Sequence, residues 1–317
     1  MSNFKFIKFF EEISKKDIKI AGGKGASLGE MIKIGIPVPR GFVILANAFD
    51  EFLKETDLNV EIEAALNKIN FKDINSVEYT SRKIRDLIHD AKVPKILVDE
   101  ILEAFKRLNE KFVAVRSSAT AEDSSIASWA GELESYLNVT KKNLVGKIKN
   151  CWSSLFTPRA IVYRYEKGLR KSKILVAVVV QKMVQSEISG ICFTVHPVTK
   201  DKNQMVIEAG WGLGEAIVGG YITPDSYVVD KKKWKILDIN ISEQEKMIVR
   251  KKTGIGNMWI KVPNKLKTKQ KLNNKQIIEL AKICFLIEKH YKFPCDIEWA
   301  FEKGKFYIVQ SRPITTL

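Results

Sequence analysis

Residues 295–313 read CDIEWAFEKGKFYIVQSRP. Two runs of branched and aromatic residues flank Glu302–Lys303–Gly304, which is the composition of a β-hairpin. Alternation along the first run puts Asp296 and Glu298 on one face and Ile297 and Trp299 on the other. Along the second run, Ile308, Gln310 and Arg312 share a face. A three-residue loop with Gly304 in its left-handed position sets Glu298 opposite Ile308, with Gln310 diagonal to it on the same face. A two-residue loop would put Glu298 and Gln310 on opposite faces. A carboxylate and an amide oxygen side by side are hard ligands suited to Mg²⁺, and Arg312 beside them suits a phosphate. The alternative is a solvated edge strand, which would hardly leave these polar groups amid Trp, Phe and Tyr.

Working outward from the hairpin, the pattern predicts a helix near 274–290 and strands at 174–184, 190–195, 204–210 and 226–230, with another pair within 233–250. Toward the N-terminus the period changes. Lys24–Ile34 carries Leu28, Met31 and Ile32 on one stripe and exits at Gly35, with Pro37 and Pro39 beyond. Further helices are predicted near 46–55, 59–69, 78–90, 95–108, 142–155 and 158–168, with a short strand at Phe112–Val115. A helix-rich N-terminal lobe (1–180) and a sheet-rich C-terminal lobe (181–317) are expected, with a ligand cleft between them.

Three further segments carry chemistry. IAGGKGASLGEM (20–31) is glycine-rich and opens a helix, so its backbone N–H groups and the Lys24 ammonium suit a phosphate. It is not a Walker A loop, because position 18 is Ile and Gly25 follows the lysine. GASLG (25–29) also fits a nucleophile elbow around Ser27, but IKIAGG is a poor strand to precede one. RSSATAEDSSIASWAG (116–131) combines Arg116, a bidentate fork for a phosphate, with six serines and threonines that let the backbone approach a polyphosphate. A surface turn of that length is rare without a function. EAGWGLGEAIVGG (208–220) has five glycines but no G-x-G-x-x-G, and reads as a mobile loop or a tight packing turn. Gln181 and Met183, at the end of the buried run ILVAVVV, lie where a hinge would meet an adenine.

Composition narrows the class. The chain has 317 residues, 45% of them hydrophobic and 28% charged, ordinary values for a folded protein. Its longest aliphatic run is far short of the roughly 20 residues that span a bilayer, and the N-terminus lacks a secretory pattern. The cysteines Cys151, Cys192, Cys284 and Cys295 form no C-x-x-C pair, which predicts reduced, buried thiols in a cytoplasmic protein. Lys plus Arg outnumber Asp plus Glu 53 to 37, a net charge of +16. Such an excess attracts polyanions, yet the basic stretches 231–233, 250–252 and 265–271 carry few aromatics, which argues against nucleic acid as the main ligand.

Four elements now stand in order: GGKGASLGEM, VRSSATAEDSS–AS–AGELESYLNV, WGLGEAIVGGYITPDSY, and CDIEW–YIVQSRPITTL. Together they resemble the N-terminal nucleotide-binding domain of the phosphoenolpyruvate synthase (pyruvate, water dikinase) family, shared with pyruvate phosphate dikinase and rifampicin phosphotransferase. The resemblance runs from about residue 6 to 317. It implies an α+β, ATP-grasp-like fold that binds Mg-ATP. By motif position it implies phosphate contacts from Lys24, Arg116 and Arg312, a triphosphate loop lined by Gly131 and Ser135, Gln181 at the adenine, and Mg²⁺ on Glu298 and Gln310. Where the family commonly has Gln-Gln, then Asp or Glu, then Thr after the glycine, this chain has Glu132, Leu133, Glu134 and Ser135. Ser135 keeps the hydroxyl, while Glu132 adds a negative charge near phosphates.

The resemblance further implies transfer of a phosphoryl or pyrophosphoryl group from ATP to a histidine on a separate domain or chain. From there it passes to pyruvate, or to an antibiotic in the rifampicin enzymes, handled elsewhere. No Thr-Cys-His motif is present, and His196 in TVHP reads as structural. With no phosphohistidine or acceptor domain in the sequence, the chain is expected to be part of a longer enzyme, a split subunit or a lone module. A non-catalytic nucleotide-binding regulator is the alternative from a different class.

Overall fold

The computed structural model describes residues 4–120, 134–169 and 174–314. The chain forms two compact units, one of Met1–Glu30 with Arg40–Met183 and the other of Met31–Pro39 with Val184–Leu317. Both mix helices with antiparallel sheet, an α+β organisation.

The first unit contains β1 (Ile7–Phe9), most of α1 (Ile18–Lys33), β2 (Gly41–Ile44), α2 (Ala46–Glu55), α3 (Leu58–Asn67), α4 (Ile74–Asp90), α5 (Lys95–Leu108), β3 (Val113–Ala119), β4 (Ser135–Val139), α6 (Leu144–Ser153), α7 (Pro158–Glu166) and β5 (Val176–Lys182). Its five strands lie in the order β1-β2-β5-β3-β4. The helices match the sequence periodicity closely. The sheet is the addition: β1 and β2 are too short to show a period, and β3 runs on past Val115 through Ser117 and Ser118. The RSSA segment is therefore strand, and the rest of that serine- and alanine-rich stretch, from 121 on, lies outside the described residues.

β5 is central and buried on both sides, which explains its unbroken branched run. One face of the sheet supplies Phe42, Ile44, Val113, Val115, Val176, Val178 and Val180 to the unit's hydrophobic core. The helices cover that face, and Trp152 of α6 stacks on Phe49 and Phe52 of α2 at 5.5 and 5.1 Å between ring centroids. Aromatic stacking adds about 0.5–1.5 kcal/mol per pair to the area buried.

The second unit contains β6 (Ile188–Phe193), β7 (Gln204–Trp211), α8 (Glu215–Val218), β8 (Asp225–Asp230), β9 (Lys235–Asn240), β10 (Lys246–Arg250), β11 (Asn257–Lys261), α9 (Asn264–Lys267), α10 (Asn274–Tyr291), β12 (Cys295–Glu302) and β13 (Lys305–Pro313). Six strands form an antiparallel sheet in the order β13-β12-β6-β7-β8-β9, and β10 pairs with β11. The buried stripe of α10, with Ile277, Leu280, Ala281, Cys284 and Ile287, lies against one face of this sheet. Cys192 of β6 meets Cys284 of α10 there. All four cysteines are buried free thiols. Burial pushes the thiols of Cys192 and Cys295 up, the latter to about 12, so neither is a reactive thiolate near neutral pH. Among the described residues, no helix is long and apolar enough to cross a membrane.

The glycine-rich segment 208–220 comprises the end of β7, a tightly packed turn at Gly212 and the helix α8. Gly212, at φ +90°, receives the hydroxyls of Ser186 and Ser189 on its carbonyl oxygen, at 3.0 and 2.7 Å, and Leu213 N–H donates to Ile248 O. His196 is structural. Its Nδ1 accepts the backbone N–H groups of Val198 and Thr199, closing the turn after β6.

Candidate nucleotide site

In the first unit, pairing register places three expected residues on one face. Gln181 pairs with Gly41 and Ala114, Val179 pairs with Arg116, and Arg116 pairs with Ser135. Paired residues, and alternate residues of one strand, share a face. Gln181, Arg116 and Ser135 therefore occupy the face opposite the helices, together with Val43 and Ser118. Gln181 is buried at the sheet's centre, Arg116 half-buried and Ser135 exposed. Gly131 lies outside the described residues.

The same face receives the turn that carries Lys24. Within α1 the helix breaks at Gly22, with φ +69° and ψ 172°. Ser118 Oγ donates to Ala21 O at 3.0 Å and accepts the N–H of Gly25 at 3.3 Å. A Cβ on Gly22 would overlap both Oγ and the carbonyl oxygen of Ser118, so only glycine lets helix and strand approach this closely. One sequence expectation is corrected here. Gly25 N–H is engaged by Ser118 and is not offered to a phosphate. Ser117 and Ser118 are 1% and 0% exposed, and their hydroxyls bind protein: Ser117 Oγ donates to Glu134 O at 2.8 Å. Polar groups inside a fold take the nearest protein partners, which period and composition cannot foresee. Ser27 lies within α1 and not on a strand-to-helix turn, which removes the nucleophile-elbow reading.

Gly22→Ala tests this contact. It is expected to cost more than about 2 kcal/mol, since the left-handed φ and the collision add. Gly35→Ala, at φ +79° with open space where its Cβ would point, should cost only about 1 kcal/mol. Urea unfolding midpoints compare the two.

In the segment after Gly131, Glu134 is held by Arg85 at 3.1 Å and by the Tyr136 hydroxyl, and its carbonyl oxygen also accepts Ser117 N–H at 3.1 Å. Glu134 is thus committed to protein partners, a role the motif comparison did not reveal.

In the second unit, the hairpin register differs from expectation. Glu302 pairs with Lys305, so the loop is the two residues Lys303 and Gly304, both left-handed at φ +50° and +77°. Such turns match the right-handed twist of the strands. Taken alone, that loop would set Glu298 against Val309. A bulge restores the pair: Trp299 faces Ile308 and Glu298 faces Gln310, leaving Val309 as the extra residue. Asp296 then faces Arg312, whose Nε and Nη2 both donate to Asp296 Oδ2, at 2.8 and 2.7 Å.

The row continues across the sheet. Glu298 pairs with Ile191, and Ile191 with Glu208. Glu208, Glu298, Gln310, Asp296 and Arg312 accordingly share the face opposite α10. Burial pushes the Glu208 carboxyl up and Asp296 pushes it further. Burial also raises Asp296, with Arg312 opposing and Glu298 adding to the rise. Glu208 opens the glycine-rich segment 208–220, but that segment was read for its glycines; a single acid in the strand QMVIEAG was the available signal.

Gln310 is 6% exposed, and its Oε1 is one of three buried side-chain polar atoms with no hydrogen-bond partner among the described residues. An orphaned buried acceptor costs about 1–3 kcal/mol, which is tolerated where something else completes it. Among the described residues, no cluster of three or more His, Cys, Asp or Glu is placed to hold a metal. A cation at Glu298 and Gln310 would accordingly take its remaining ligands from phosphate or water, the usual pattern for nucleotide-bound Mg²⁺. The donor set fits.

The chain matches the family described as "Pyruvate phosphate dikinase, AMP/ATP-binding domain" over residues 18–317. It is similar to the probable phosphoenolpyruvate synthase of Methanocaldococcus jannaschii, with 48% identity over 322 residues that cover 99% of this chain and 27% of that protein. The phosphoenolpyruvate synthase of Pyrococcus furiosus is 43% identical, over 99% of this chain and 44% of that protein. That of Aquifex aeolicus is 40% identical, over 98% and 39%. The chain spans less than half the length of each of these relatives. With the match running through all four motifs, the chain belongs to the AMP/ATP-binding domain family of pyruvate phosphate dikinase.

Proposed function

We propose that this domain binds ATP as its Mg²⁺ complex and hands a phosphoryl or pyrophosphoryl group to a histidine on a separate domain or chain, as part of a phosphoenolpyruvate synthase-like enzyme. An ATP-grasp-like arrangement is part of this reading. The observation that carries it is the Glu298–Gln310 pair, with the buried Gln310 carbonyl oxygen unpartnered beside a carboxylate. Magnesium bound there would neutralise charge on the phosphates. Lys24, Arg116 and Arg312 supply fixed positive charge to the phosphate chain, a large part of what phosphoryl transfer asks of a protein. Asp296 aims the Arg312 guanidinium by accepting two of its N–H groups, so its fork is oriented before ligand arrives. Ser135 offers a hydroxyl opposite Arg116, and Gln181 offers an amide to the adenine end. The relatives named phosphoenolpyruvate synthase favour pyruvate over an antibiotic as the final acceptor.

Calorimetric titration of the chain tests the reading. Binding of ATP in the presence of Mg²⁺, weakened by Lys24→Ala or Arg116→Ala and weakened also by chelating the metal, is the expected result. Affinity indifferent to both the metal and these side chains would overturn it.

A further inference from the structure

We propose that Ser118 is a positioning residue for Lys24, fixing the glycine-rich turn to the strand that carries Arg116. The proposal rests on the phosphate-binding reading of Lys24 given above.

One oxygen ties both ends of the turn. Ser118 Oγ donates to Ala21 O at 3.0 Å and accepts Gly25 N–H at 3.3 Å, so its two partners bracket Lys24 on either side. Between them, Gly22 turns out of helical geometry at φ +69° and lies directly on Ser118. A Cβ on Gly22 would collide with the Ser118 carbonyl, so turn and strand pack with no side chain between them at this point. Ser118 is two residues beyond Arg116 on the same face of β3, and β3 is paired with β5 along its whole length. Lys24 and Arg116 are therefore referenced to one rigid strand, although more than 90 residues separate them in sequence.

Ser118 is 0% exposed, so it does not itself touch a ligand. Its effect passes through Lys24. A hydroxyl that only stabilised the fold would, when removed, weaken every ligand alike. A hydroxyl that places Lys24 would, when removed, weaken ligands in proportion to their phosphates.

The readout is therefore the ratio of Mg-ATP affinity to adenosine affinity, measured by calorimetry on the full chain, Ser118→Ala, Lys24→Ala and the double variant. Lys24→Ala should lower the ratio by about 10- to 100-fold, the range for a charge-assisted contact. Ser118→Ala should lower it by about 10-fold, and the double variant should lie within about 2-fold of Lys24→Ala alone. Ser118→Thr, which keeps the hydroxyl, should hold the ratio within about 2-fold of the parent and serves if the alanine variant does not fold. An unchanged ratio in Ser118→Ala beside a lowered ratio in Lys24→Ala overturns the role of Ser118 alone. Losses that multiply in the double variant show that Ser118 acts independently of Lys24, which also overturns it. An unchanged ratio in Lys24→Ala removes the assignment of Lys24, and this proposal with it. If Ser118→Ala does not fold, a ratio in Ser118→Thr as low as in Lys24→Ala overturns it.

Discussion

Glu298→Ala is expected to remove most of the metal-dependent affinity for ATP, by about 100-fold or more, while leaving the unliganded fold intact. Glu298 is the anionic member of its pair, and the amide of Gln310 carries no charge to replace it. Metal-free ATP should bind the variant as it binds the parent, because Arg116, Lys24 and Arg312 are untouched. The unliganded protein should not suffer. Glu298 stands on a face that already carries Asp296 and Glu208, and its charge pushes against Asp296. Calorimetry with and without Mg²⁺, beside a thermal melt of the free protein, makes the comparison. A collapse of the melting temperature would mark the hairpin carboxylate as structural and would sink the metal assignment.

The largest effect on stability is expected at a buried pair outside that row. Asp225 and Lys271 form an ion pair at 2.7 Å with both side chains 0% exposed. Asp225 Oδ1 also accepts Ser242 N–H at 3.0 Å, and Oδ2 accepts the Tyr227 hydroxyl at 2.8 Å and Lys271 N–H at 2.9 Å. Lys271 Nζ donates in turn to Ser242 O at 2.6 Å. This network ties the chain on either side of β10 and β11 to β8. Breaking a buried pair leaves a charge without compensation, so Asp225→Ala should cost about 3–5 kcal/mol. Lys271→Met should cost less, because the carboxylate keeps three donors while the ammonium in Asp225→Ala keeps a single carbonyl. Urea unfolding followed by circular dichroism measures both. Equal, small losses would mean that water enters the network and the pair contributes little.

Much of the candidate site was legible because its residues carry their chemistry in their types. A carboxylate, an amide and a guanidinium on alternate positions of short strands announce a polar face whatever lies around them. The helices from 46 to 108 were legible for the same reason, since a period of 3.6 is a local property. β1 and β2 were not, being three and four residues long and so too short to show a period. Glu208 was missed because one acid in an apolar strand has no sequence neighbour to explain it. Its company on the face comes from β12 and β13, some 90 residues or more away.

The sequence by itself determined that Asp296 and Glu298 share a face, that Gln181 sits in a strand, and that Lys24 follows a glycine turn. It left Arg116 in a loop that the structure makes part of β3, and Ile308 on the face of Gln310 when it pairs with Trp299 on the other. Only the tertiary structure decided register and side-chain partners within each unit. Glu298 and Gln310 stand opposite each other through two departures from the simple register that compensate one another, a two-residue turn at Lys303–Gly304 and an extra residue at Val309. Likewise the serines of 116–131 read as small residues that let the backbone approach a polyphosphate, whereas the structure gives the Ser117 and Ser118 hydroxyls to other segments of the chain. The reason is physical. Side-chain alternation is set within a strand by sterics of period two, whereas register and hydrogen-bond partners are set between strands, by turns, bulges and close backbone contacts that no single segment contains.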